Sequence, residues 1–135
     1  DDGELIALDK NKKTSDVAFN FIKKANQENK IKLIVKPALE STKILKKEGE
    51  KFDLIFIDAD KENYKNYYDH SIDLIKKNGL IIIDNVLWYG DVVKKNKNDK
   101  ITTFIRDFNS YIKKDKKTEK VMMPIGDGLT ICRKL

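Results

Sequence analysis

Apolar and polar positions alternate in two distinct periods along this chain. Residues 4–8 (Glu-Leu-Ile-Ala-Leu) form a short apolar run that ends at Asp9. Over residues 15–29, Val17, Phe21, Ile22 and Ala25 recur at helical spacing, with Thr14 or Ser15 as the expected N-cap. Residues 31–35 read as a strand, and Pro37 opens a short helix that carries Leu39, Ile44 and Leu45 and stops at Gly49. Residues 52–57 form the clearest buried strand. Asp60 follows as the expected N-cap of a helix over 61–77, whose stripe includes Tyr64, Tyr68, Ile72 and Ile75 and which closes at Asn78-Gly79. Residues 80–83 are a second continuous apolar strand. A loop over 84–100 holds Trp88 and Tyr89. A helix over 102–113 places Phe104, Ile105, Phe108 and Ile112 on one face. Strands over 120–123 and 129–133 are joined by Pro-Ile-Gly-Asp-Gly (124–128), and the Asp-Gly pair signals an antiparallel hairpin. Strands alternating with helices predict an α/β fold: a mostly parallel sheet, helices on both faces and a terminal hairpin.

Composition narrows the class. A chain of 135 residues reads as a single domain spanning 1–135. A chain of this size buries about two-thirds of its unfolded surface, so a core forms without covalent staples. One cysteine and one histidine rule out a disulfide framework and a cysteine-built zinc site. The apolar runs are far shorter than the roughly 18 residues of a membrane span, and no signal-peptide core opens the chain. The expectation is therefore a cytoplasmic protein without a membrane partner. The net charge of +6 raises nucleic-acid binding, but Arg106 and Arg133 are the only arginines among 28 basic residues. Arginine is the residue suited to bidentate reading of phosphate and guanine. The lysines are dispersed among Asp, Glu and Asn, as on solvated faces, so no nucleic-acid partner is expected.

Three expected parallel strands end in a carboxylate: Asp9, Asp58 and Asp84. Ligands of open α/β sheets bind outside the carboxyl ends of the strands, which gathers Asp9, Asp58, Asp60, Asp84 and Asn85 along one edge. Asp58, Asp84 and Asn85 are hard oxygen donors, suited to Mg²⁺, Mn²⁺ or Ca²⁺ rather than zinc. An acidic strand end such as Asp9, followed by a helix, suits the ribose hydroxyls of an adenosine-type cofactor. His70 reads as a surface or packing residue and Cys132 as a small buried hydrophobe. Met122 and Met123 read as core and strand residues.

The segment Phe-Asp-Leu-Ile-Phe-Ile-Asp-Ala-Asp-Lys-Glu-Asn-Tyr (52–64) resembles the cation-dependent, S-adenosylmethionine-using O-methyltransferases, the group of catechol and caffeoyl-CoA O-methyltransferases. Gly-Leu-Ile-Ile-Ile-Asp-Asn-Val-Leu-Trp-Tyr-Gly (79–90), Pro-Ile-Gly-Asp-Gly-Leu-Thr (124–130) and Pro-Ala-Leu-Glu (37–40) resemble further family segments, in the right order and spacing. The resemblance implies a Rossmann-like methyltransferase fold. It implies S-adenosylmethionine and a divalent cation, most readily Mg²⁺, as cofactors, a small aromatic (catechol-like) hydroxyl acceptor, and a homodimer. It also implies roles residue by residue. Asp58, Asp84 and Asn85 match metal ligands. Asp9 matches the ribose carboxylate, and Ala38 borders the adenine. Asp58, Asp60 and Tyr67 fall on the cofactor side. Lys61 matches the catalytic lysine, and Trp88 and Tyr89 fall in the acceptor loop. In that chemistry the cation chelates neighbouring hydroxyls and lowers their pKa. A nearby cation also depresses a lysine pKa, which makes Lys61 the proton acceptor. In-line attack on the sulfonium methyl follows, much of it through positioning.

The match has departures. Asp1-Asp2-Gly3 corresponds to the turn before the family's second strand, and no residues match its N-terminal helices, first strand or glycine-containing loop. In the family that strand lies between those matching 4–8 and 52–57, so two strand edges lack partners. A fragment of a longer enzyme, direct pairing of the two edges, or a second chain would each account for this. Lys36 replaces a usual glycine, and Tyr89 a usually small or polar residue. The rival reading is a truncated, non-catalytic remnant serving as an assembly module.

Overall fold

The computed structural model describes residues 3–135; Asp1 and Asp2 of the expected opening turn lie outside the described residues. The chain folds as two compact units, one running to Lys47 and one from Glu48 to Leu135.

The first unit contains β1 (Leu5–Asp9), α1 (Lys12–Lys24), β2 (Ile31–Val35) and α2 (Ala38–Lys47). β1 and β2 pair in parallel from Leu5↔Ile31 to Asp9↔Val35. The helix α1 starts earlier than expected. Asn11, not Thr14 or Ser15, is its N-cap, and its side chain accepts from the Lys13 and Thr14 backbone N–H groups at 2.9 and 3.3 Å. It also ends earlier: Asn26 takes a left-handed φ of 53°, a conformation asparagine tolerates, so the helix does not reach residue 29.

The second unit contains β3 (Phe52–Ile57), α3 (Tyr64–Leu74), β4 (Ile75–Ile83), α4 (Lys100–Lys114), β5 (Thr118–Met123) and β6 (Leu129–Lys134), with single 3₁₀ turns at Lys61–Asn63 and Asp91–Val93. The strand order is β3-β4-β6-β5. β3 and β4 are parallel, and the last two ladders are antiparallel, as the hairpin signal predicts.

The expected helix over 61–77 is shorter, and its last residues belong to β4. Ile75 is extended and buried, pairs with Phe52, and carries the chain into the sheet. Between the Phe52↔Ile75 and Leu54↔Leu80 pairs the register shifts, and the extra residues bulge through Asn78 at φ 65°. A Cβ at Gly79 would lie 2.8 Å from Ile75 Cγ1 and 3.0 Å from the Asp53 carbonyl, so glycine is needed for this close passage. Lysines from the sheet cover the ends of the helices: Lys134 Nζ donates to the carbonyls of Ile72 (2.7 Å) and Ile75 (3.2 Å), and Lys120 donates to those of Ile112 and Asp115.

The core of this unit joins Tyr64, Tyr68 and Ile72 of α3 to Ile105, Phe108 and Ile112 of α4 and to Ile81, Ile83 and Cys132 of the sheet. Phe108 meets Tyr64 and Tyr68 edge-on, with ring centroids at 5.3 and 6.4 Å. β3 corrects the reading of 52–57 as the clearest buried strand. Ile57 is buried, but Leu54 and Phe56 are 53% and 54% exposed. β3 has a ladder on one edge only among the described residues, and Leu54 and Phe56 share one of its faces.

No helix of the described residues is long and apolar enough to cross a membrane. Both arginines are engaged internally. Arg106 donates to the carbonyls of Asp91, Val92 and Lys94 and to Asn98, and Arg133 donates to Asn78 and Glu119.

Candidate functional site

The geometry of the second unit begins with the β3–β4 ladder. Ile57 and Ile83 are paired, and the Asp84 N–H donates to the Ile57 carbonyl at 3.0 Å, one step beyond the last pair. Neighbouring strands lie about 4.8 Å apart, so Asp58 and Asp84 leave the sheet side by side. The chain turns at once after each. After β3 it forms the 3₁₀ turn that carries Lys61. After β4, Asn85 adopts a left-handed φ of 57°, and its N–H donates to Asp84 Oδ1 at 2.6 Å.

Lys61 is the hub at these strand ends. Its Nζ donates to Tyr64 Oη at 2.5 Å, to Asn85 Oδ1 at 2.6 Å and to Asp58 Oδ1 at 3.1 Å. An ammonium has three N–H groups, and here each has an oxygen. The Lys61 side chain is 11% exposed and that of Asp58 is 53% exposed, so the pair sits at the boundary between core and solvent. The ammonium also lies 4.7 Å from the Tyr64 ring centroid and 5.9 Å from that of Trp88. Tyr64 is fully buried, and its hydroxyl donates to the Asp84 carbonyl at 2.9 Å. Burial, and then the negative charges of Asp58 and Asp84, push its pKa well above the ordinary phenol value, so it stays protonated. Tyr64 therefore ties Lys61 to the turn after β4. The sequence marks it as one apolar-stripe residue among several; its position three residues after Lys61, on the same helical face, is the signal that identifies it.

Asp60 corrects an expectation. It stands at the N-cap position but makes no side-chain cap. Its carboxylate instead accepts from Tyr67 Oη at 2.7 Å and from the Asn63 side-chain amide. Burial, then the hydrogen bond to Asp60, raises the Tyr67 pKa and keeps that hydroxyl a donor.

Trp88 and Tyr89 lie in a loop with φ values of 48° and 54°, and Gly90 follows at 73°. The 124–128 loop braces it: Val86 N–H donates to the Gly128 carbonyl (3.1 Å), Leu87 N–H to the Asp127 carbonyl (2.9 Å) and Tyr89 N–H to Asp127 Oδ1 (2.5 Å). Asn109 of α4 donates to the Val86 carbonyl at 2.8 Å. Nothing in the linear pattern marks Asp127 or Asn109 for this task, because their partners are distant in sequence. Trp88 is half-buried and Tyr89 is 77% exposed. A groove of about 480 Å³ adjoins Lys61 and is lined also by Lys65, Phe104, Phe108 and Tyr111.

Asp9 and Ala38 belong to the first unit. Asp9 closes β1 opposite Val35, so the 36–38 turn leaves β2 at the same sheet edge. The Asp9 carboxylate accepts from the Asn11 N–H (2.8 Å) and from Thr14 Oγ1 (3.0 Å), and Ala38 is the first residue of α2.

The donor set around Lys61 suits a hard cation. The Asp58 and Asn85 oxygens already converge on one positive charge, and Asp84 follows immediately on the neighbouring strand. Among the described residues no three His, Cys, Asp or Glu side chains form a metal cluster. The candidate donors Asp58, Asp84 and Asn85 are two carboxylates and an amide.

Comparison with other proteins gives this arrangement its family. The O-methyltransferase family model matches residues 1–135. The chain is 40% identical over 144 residues to caffeoyl-CoA O-methyltransferase 5 of Nicotiana tabacum, covering all of this chain and 60% of that protein. It is 41% identical over 145 residues to caffeoyl-CoA O-methyltransferase of Medicago sativa, covering all of this chain and 58% of that one. The chain thus spans about 60% of the length of the relatives it matches. Among solved structures, the O-methyltransferase of Bacillus cereus in complex with SAH superposes with a TM-score of 0.90 at 28% identity, over 100% of this chain and 64% of that one. The SAH-bound methyltransferase of Podospora anserina gives 0.86 at 28% identity, over 98% and 61%. Matched by the family model over residues 1–135, this chain belongs to the O-methyltransferase family.

Proposed function

We propose that the protein carrying this chain transfers a methyl group from S-adenosylmethionine to a hydroxyl of a small, catechol-like aromatic acceptor. In this reading Asp58, Asp84 and Asn85 hold a divalent cation, most readily Mg²⁺. The observation that carries it is the convergence of Asp58, Asn85 and Tyr64 oxygens on the Lys61 ammonium, beside Trp88. When bound, the cation lowers the pKa of the acceptor hydroxyl and orients it. Lys61 Nζ stands in the first turn after Asp58 and is the group placed to take the hydroxyl proton. The freed oxygen then attacks the sulfonium methyl in line, and the electrons of the broken C–S bond stay on sulfur. Trp88 and Tyr89 border the acceptor. Asp9 holds the ribose and Ala38 borders the adenine, with Asp58, Asp60 and Tyr67 also on the cofactor side. The SAH complexes of the Bacillus and Podospora proteins support the cofactor, and the caffeoyl-CoA O-methyltransferases support an aromatic acceptor. A cytoplasmic setting fits the free, buried Cys132. A homodimer accords with the family resemblance.

The test is calorimetric titration of the complete protein with S-adenosylhomocysteine, with and without Mg²⁺, followed by turnover of Asp58→Ala and Asp84→Ala. Micromolar uptake is expected, together with loss of Mg²⁺-dependent turnover in both folded variants. Normal Mg²⁺-dependent turnover in either variant would remove the metal assignment. No uptake by a folded protein would favour the non-catalytic assembly module, whose support is the exposure of the apolar Leu54 and Phe56 side chains.

A further inference from the structure

We infer that Lys61 is the resident counter-cation of this site, and that a divalent cation enters by displacing its ammonium from Asp58 and Asn85. The inference rests on the proposed metal site of Asp58, Asp84 and Asn85.

Two of the three oxygens that receive the ammonium, Asp58 Oδ1 and Asn85 Oδ1, belong to the proposed cation donors. The ammonium stands 2.6 Å from Asn85 Oδ1 and 3.1 Å from Asp58 Oδ1. A bound Mg²⁺ needs its oxygens at about 2.1 Å and Ca²⁺ at about 2.3–2.6 Å. Either ion would draw on the space and the lone pairs that the ammonium uses. Two positive charges at that separation also repel strongly in a half-buried setting.

The structure offers the lysine a second seat. Tyr64 Oη is its shortest contact and is outside the donor set, and the Tyr64 and Trp88 ring centroids lie 4.7 and 5.9 Å from the ammonium. Aromatic faces hold an ammonium without competing for carboxylate oxygens. Tyr64 itself cannot follow, since it is buried against Phe108 and bonded to the Asp84 carbonyl. Loading of the cation and release of the lysine from its acidic partner are then one event. The lysine is freed on the side of the Trp88 loop.

The experiment measures Mn²⁺ affinity of the complete protein, through the loss of the free-ion electron paramagnetic resonance signal, in wild type, Lys61→Met and Asp84→Ala. Lys61→Met keeps the length of the side chain without its charge. It should bind Mn²⁺ about tenfold more tightly than wild type, since removal of a nearby like charge favours the ion. Should that variant fail to fold by circular dichroism, Lys61→Gln, also neutral, carries the same expectation. Equal or weaker affinity in the neutral variant, with wild-type binding that Asp84→Ala abolishes, would overturn the displacement and leave the metal site standing. No Mn²⁺ uptake by wild type or by the neutral variant would overturn both.

Discussion

Tyr64 and Gly128 act on the site through the positions they hold for other residues. Tyr64 is fully buried, and its one side-chain polar atom joins Lys61 to the Asp84 backbone. Its ring does the packing expected of the apolar stripe, while its hydroxyl organises the charges. Gly128 has φ 85°, and a Cβ there would stand 2.5 Å from Leu87 Cγ. It lets the hairpin loop approach the Trp88 loop closely enough for the Val86 and Leu87 backbone bonds. Gly128→Ala is therefore expected to cost about 2 kcal/mol or more, from left-handed strain and overpacking together. It should also change the emission of Trp88, the only tryptophan. A urea midpoint and a fluorescence spectrum equal to wild type would contradict this role of Gly128. Asp58 and Asp84, with Asn85 beside it, were legible in the sequence because strand ends announce themselves as an apolar run stopped by an acid, whereas Lys61 stood out only through the family resemblance. Asp127 and Asn109 were not legible, because a brace is visible only once two distant loops meet.

At the scale of elements, the periodic patterns located every α-helix and strand of the described residues, and the ends moved, some for local reasons and one for a tertiary one. α1 begins earlier because Asn11 caps it, a signal hidden by the lysines that come after it. Asn11→Ala should cost about 1 kcal/mol, read as a lower urea midpoint with an unchanged slope; an unchanged midpoint would mean that the cap contributes nothing. α3 ends at Leu74 because Ile75 gains more in the sheet: it is buried, pairs with Phe52, and leaves the helix carbonyls to Lys134. No local propensity reveals that trade, since Ile-Lys-Lys-Asn suits a helix end as well as a strand start. α4 keeps its expected face and gains a first turn from Asp99, whose carboxylate accepts from the Thr102 N–H at 3.0 Å.

At the scale of the whole molecule, the excess of lysine is spread over local pairs. Examples are Lys12 with Asp16, Lys76 with Asp53, and Lys94 and Lys97 with Asp91. Such exposed pairs each contribute little. The pH response of stability lies instead with the second unit's protonated groups. Burial pushes the Cys132 thiol from 9.0 up to about 11, and the hydrogen bond to Asp69, with burial second, pushes the Tyr111 hydroxyl from 10.0 up to about 12. A raised folded pKa contributes stability that is complete below the unfolded pKa and is lost as pH rises through the folded one. The melting temperature should therefore fall between pH 9 and 11, and Cys132→Ala should make that fall shallower. A melting temperature independent of pH over this window would show that the two groups do not couple to folding.

The sequence by itself determined the order of elements, the carboxylates at the strand ends, the lysine turn after β3 and the family segments that join them. Each of these is a local pattern: a period, a cap, or a polar stop after an apolar run. Tertiary structure alone decided that β4 begins at Ile75 and that Asp60 holds Tyr67 rather than a helix end. It alone decided that the Lys61 ammonium is shared among Asp58, Tyr64 and Asn85. Ile75 follows its apolar burial into the sheet, and the polar cases share one physical reason. A buried polar or charged group takes the partners that folding brings within hydrogen-bond reach, and those partners are set by strand register and helix packing rather than by distance along the chain.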